Sequence, residues 1–69
     1  MMDEEVLNTS LRRFLKKVGI TAQREIEKAV RENIANGKLK GHEALPAKAT
    51  FNVGGVDLKF EVEGDVELT

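Results

Sequence analysis

The chain has 69 residues, with 11 Lys and Arg against 12 Asp and Glu, one His, and no cysteine, tryptophan or tyrosine. So short a chain holds one domain with a thin core; a disulfide cannot brace it, and no apolar run approaches the roughly 20 residues that cross a bilayer. Its net charge of −1 hides a division, with nine basic and six acidic side chains over residues 1–40 against two and six over residues 41–69.

Residues 4–18 carry Leu7, Leu11, Phe14, Leu15 and Val18 at helical spacing, which gathers them within about 100° of a helix circumference. Asp3 is placed to cap this helix, Glu4 and Glu5 lie in its first turn, and Lys16 and Lys17 in its last, as the helix dipole favours. Gly19 supplies the residue type that ends helices, and Thr21 a cap for a second helix over 22–36. The inner face of that helix is Ala22, Ile26, Ala29, Val30 and Ile34, and Asn36-Gly37 closes it. Residues 37–46 read as a loop, with Leu39 and Leu45 tucked against the core and Pro46 at its end.

Beyond the loop the apolar period changes to two. Ala47, Ala49, Phe51 and Val53 alternate with polar residues, and Val56, Leu58, Phe60 and Val62 do the same after Gly54-Gly55. A two-residue Gly-Gly turn pairs strand 47–53 with strand 56–63, setting Val53 against Val56, Phe51 against Leu58, Ala49 against Phe60 and Ala47 against Val62. The same register puts Lys48 opposite Glu61 and Asn52 opposite Asp57. A second turn at Glu63-Gly64-Asp65 leads to a short third strand, 66–68. The expected fold is α+β: two N-terminal helices joined by a short turn, packed on one face of a C-terminal antiparallel hairpin or three-stranded meander.

The Gly-Ile-Thr step invites comparison with a helix-turn-helix, which needs apolar residues at fixed offsets from the turn glycine. Phe14, Val18 and Ile20 satisfy it, but Glu25 and Lys28 stand where buried aliphatic residues belong. Helix packing explains the step better. A basic face made of Arg12, Arg13, Lys16, Lys17, Arg24, Lys28 and Arg31, extended by Lys38 and Lys40, offers phosphate or an acidic protein a surface, while the same residues also serve as an ordinary solvated face.

Catalysis has little material. His42 and Ser10 are the only residues of their types, and Ser10 lies mid-helix where no strained elbow forms. His42-Glu43 lacks the further ligands of a zinc site, and the acidic side chains at 61, 63, 65 and 67 are accounted for by strand faces and a turn. Gly54-Gly55 precedes no helix and so is a turn, not a phosphate loop. No metal or cofactor is expected.

The stretch RRFLKKVGITAQREIEKAVRENIANGKLKG followed by LPAKATFNVGGVDLKFEVEGDVEL resembles a family of small bacterial proteins of unknown function, through its F-L-K-K-V-G-I-T, G-K-L-K-G, L-P-A-K and G-G-V-D-L segments. The resemblance implies a bacterial, cytoplasmic, stand-alone domain and carries no activity or site residues with it. The lack of cysteine and of a secretion signal agrees with a cytoplasmic location. Together these observations point to a small non-enzymatic interaction module that self-associates or meets an acidic protein partner. Nucleic-acid binding through the basic helical face is the alternative, and no membrane partner is expected.

Overall fold

A computed structural model describes all 69 residues. It holds one helix, α1 (Glu4–Ala35), and two strands, β1 (Ala44–Val53) and β2 (Leu58–Glu67). The fold is α+β, as expected, but its helical part is one rod of 32 residues, not two helices. Gly19 and Thr21 neither end nor begin anything.

The reason lies in the phase of the apolar residues. Leu7, Val18 and Ala29 recur every eleven residues, as do Leu11 with Ala22 and Leu15 with Ile26, so the stripe continues through Gly19 in helical register. A mid-helix glycine costs about 1 kcal/mol relative to alanine, whereas a break forfeits backbone hydrogen bonds and exposes two new helix ends. Gly19 also lacks the positive φ that a glycine at a helix end adopts. The capping expectations at the outer ends stand. The Asp3 carboxylate accepts from the amides of Glu5 at 2.9 Å and Val6 at 3.2 Å, and Asn36 closes the far end, followed by Gly37 at φ 84°. Lys16 and Lys17 are mid-helix, and the true last turn has no basic residue.

The strands form a two-stranded antiparallel sheet, with no third strand. The register pairs Leu45 with Val66, Ala47 with Gly64, Ala49 with Val62, Phe51 with Phe60 and Val53 with Leu58. This is two residues away from the expected pairing, and the loop has four residues, Gly54 to Asp57, in place of the two-residue Gly-Gly turn. Gly55 at φ 88° and Asp57 at φ 51° supply its left-handed positions, which glycine and aspartate adopt more readily than other residues. A shift of two preserves which side chains share a face. It also matches large with large and small with small, stacking the rings of Phe51 and Phe60 with centroids 5.1 Å apart, a contact worth about 0.5–1.5 kcal/mol beyond its area.

The third strand vanishes because β1 begins at Ala44, three residues early, and gives Gly64, Asp65, Val66 and Glu67 partners in β2. Val56, expected in a strand, sits in the loop at 68% exposure. Lys48 stands opposite Glu63, yet its ammonium reaches the Glu61 carboxylate at 3.1 Å, so the expected ion pair forms diagonally. Asn52 faces Lys59, not Asp57. Both outer edges of the sheet are open: β1 carries Pro46, which has no N–H to offer, and β2 carries Glu61, Glu63, Asp65 and Glu67.

The helices were expected to cover the sheet; the single helix does not. No helix Cα comes within 8 Å of a strand Cα. The molecule measures 54 × 20 × 18 Å, little longer than the roughly 48 Å of its own helix, so the hairpin turns back beside the rod. The two meet at the hairpin base, around a shallow groove lined by Ile26, Glu27, Val30, Arg31, Val66 and Leu68. Leu39 and Leu45 are half-buried near this junction, and no residue of the 69 is fully buried.

The continuity of the helix predicts the effect of Gly19→Ala. A methyl group at this position meets no atom within 4 Å, so the change should stabilise the protein by about 0.5–1 kcal/mol, measured by denaturant unfolding at fixed concentration. A glycine turn between two helices would instead make the substitution destabilising.

Candidate functional site

Two surfaces emerge from the straight helix. The first is apolar. Leu7, Leu11, Phe14, Leu15, Val18, Ala22, Ile26, Ala29 and Val30 fall within about 160° of the circumference along almost the full rod, an arc that also holds Asn8, Arg12, Glu25 and Asn33. Phe14 and Leu15 are 50% and 52% exposed, and Leu7, Leu11 and Ile26 are exposed as well. The hairpin adds a second apolar face, on which Val53, Leu58, Phe60 and Val62 are exposed. Residues that sequence periodicity assigns to a core are thus the uncovered surface of the chain. Solvent-facing apolar area that runs continuously along an element marks a contact surface. The eleven-residue recurrence was the signal for it, since an unbroken stripe leaves a helix unable to fold back on itself.

The second surface is basic. A single helix brings Arg13, Lys17, Arg24, Lys28 and Arg31 onto one side, within about 60° of arc and over about 27 Å of length. Arg12 and Lys16 stand apart from this line, on the flank between it and the apolar stripe. Of the seven, only Arg31 is ion-paired, to Glu27 at 3.2 Å. Gln23 donates to the other oxygen of that carboxylate at 2.8 Å. These contacts, Gln23 first and Arg31 after it, draw the Glu27 carboxyl below its ordinary range. The elbow that a helix-turn-helix requires does not exist, and the resemblance to that motif ends there.

The junction between helix and hairpin contains the most strongly perturbed ionisable group. The Glu43 carboxylate accepts from the amide of Lys40 at 2.8 Å and from those of Gly41 and His42 at 2.9 and 3.1 Å. Backbone amides converging on one carboxylate, that of Lys40 foremost, stabilise its charged form and lower its pKa to about 2. Gly41, at φ 103°, turns the chain beside Ile34, and the Glu43 carbonyl accepts from Leu68 at 3.3 Å, prolonging the strand pairing by one step. The Glu43 carboxylate thus ties the backbone of residues 40–42 to the start of the hairpin.

Ser10 donates its hydroxyl to the Leu7 carbonyl at 3.0 Å within its own helix turn, and no three metal-binding side chains converge. No helix is long and apolar enough to cross a membrane. What the geometry presents is one long apolar surface, a basic ridge behind it and a carboxylate-pinned joint.

The chain belongs to DUF6494, a family of unknown function whose family model matches residues 2–69. No curated protein and no solved structure matches it.

The Glu43 anchor has a definite acid response. Its folded pKa, about 2, lies below the ordinary 4.5, so its contribution is complete above pH 4.5 and is lost as the pH falls toward 2. The amide resonances of Lys40, Gly41 and His42 should titrate together with a midpoint near that value. In Glu43→Gln this shared titration should disappear; a midpoint near 4.5 in the unmodified chain would show that the amides do not hold the carboxylate.

Proposed function

We propose that this member of a family without an assigned activity is a non-enzymatic interaction module, whose working surface is the apolar stripe of α1 together with the apolar face of the hairpin. The observation that carries the reading is that none of the 69 residues is buried. Ordering a chain costs about 1–2 kcal/mol per residue in backbone entropy alone, and burial of apolar area is the main term that offsets it. A helix of this length has some stability of its own, but a lone two-stranded hairpin has little. The ordered fold therefore needs a protein surface over its apolar side, and binding is the activity its architecture supports. The basic ridge lies on the opposite side of the helix and stays accessible when that surface is covered.

Truncation of the stripe tests this. Leu15→Ala keeps a good helix former in place, so a residue that faces water permanently would change stability by less than about 0.5 kcal/mol. If Leu15 is covered in the working state, the change should cost about 2–5 kcal/mol, as in a packed core. Denaturant unfolding of the two proteins at equal concentration separates these outcomes, and a difference inside the smaller bound, in a chain that is fully helical and unfolds cooperatively on its own, would sink the interaction reading.

A further inference from the structure

We propose that the surface is covered by a second copy of this chain, with the two helices antiparallel and their stripes in contact. The inference rests on the interaction-module reading and names the partner of that same surface.

The area of the molecule supports two copies. A compact protein of 7.7 kDa exposes about 4,300 Å², whereas this chain exposes 6239 Å². Its radius of gyration is 16.2 Å, against about 11 Å for a compact chain of this length. The surplus is about 1,900 Å² per copy. Two copies that covered it on each other would bury about 3,800 Å² in total, inside the range of roughly 2,000–5,000 Å² found for permanent homodimers. The stripe is an apolar band along a single continuous rod of 32 residues, so an identical rod is a partner of matching length and width. A chain with an eleven-residue apolar repeat is close to the period of an undistorted helix and needs little supercoiling to stay in contact.

Charge selects the orientation. Of the charged side chains, those on the flanks of the stripe come nearest a partner helix: Arg12 and Lys16 in the first half of the rod, and Glu25, Glu27 and Glu32 in the second. Parallel alignment sets Arg12 and Lys16 of the two copies at the same height and puts like helix ends together. Antiparallel alignment turns Arg12 and Lys16 toward the acidic flank residues of the other helix and opposes the dipoles. The open sheet edges do not compete as an interface: Pro46 interrupts the donors of β1, and pairing β2 with its own copy brings carboxylates against one another.

Sedimentation of the full chain between about 1 and 100 µM, followed by helicity at each concentration, tests the partner. A species of twice 7.7 kDa is expected, with mass and helicity falling together on dilution, and Leu15→Lys should shift that dissociation at least 100-fold upward in concentration. The cysteine-free sequence permits a single nitroxide at Thr9→Cys for orientation. Antiparallel helices that cross near the middle of the rod hold the two labels roughly 30 Å apart, and parallel helices hold them within about 15–20 Å. A short label distance overturns the antiparallel arrangement, and a mass above two copies overturns the pair. A fully helical 7.7 kDa species at every concentration overturns both this inference and the interaction reading. A 7.7 kDa species that has lost its helicity overturns the second copy alone, since the surface is then left to a different protein.

Discussion

The constraint on which the rest depends is the unbroken phase of the helix stripe through Gly19. A single glycine with no change of apolar phase is not a turn, because the helix on either side already presents the same face. Once the rod is continuous, its apolar residues cannot close on one another, since a straight helix of 32 residues has no second helical segment to fold against. The hairpin reaches only the last turns, at Ile26 and Val30. Exposure of the apolar surface and the elongated shape both descend from that one continuity, and the proposed partner is an answer to them.

Much of the fold was legible in the sequence, and what was not has physical reasons. The outer helix caps, Asp3 and Asn36-Gly37, were readable because capping chemistry is local. The alternation of the strands and the identity of their shared apolar face were readable because a period of two survives a two-residue slip. The slip itself was hidden, for Phe51 opposite Phe60 and Ala47 opposite Gly64 are matters of side-chain size across the sheet, not of alternation. The Gly64-Asp65 pair resembled a turn only while β1 was taken to start at Ala47; once Ala44 leads the strand, those residues have partners and stay extended.

The candidate site was legible in a more partial way. The residues of the basic face were identified individually, but two short helices gave no means of aligning Arg13 with Arg31 on one side. The apolar surface was identified residue by residue as a core, which is what its periodicity means in a chain that folds back on itself. Glu43 was not singled out as an anchor, since its role comes from the local backbone path through Lys40, Gly41 and His42, and only the resulting proximity of their amides reveals it. That joint lies at the base of the hairpin, where Val66 and Leu68 come beside Ile26 and Val30, and so stands between the two apolar faces.

The edges of the sheet carry a consequence for what the protein can become. A flat ribbon ten residues long with greasy rings on one side has the makings of an amyloid seed. Pro46 on one border and four carboxylates along the other discourage a neighbouring ribbon from zipping on laterally, which disfavours growth in the plane of the sheet. Under the proposed pairing, stickiness is confined to the greasy face, a direction in which one further copy saturates it and no fibre grows.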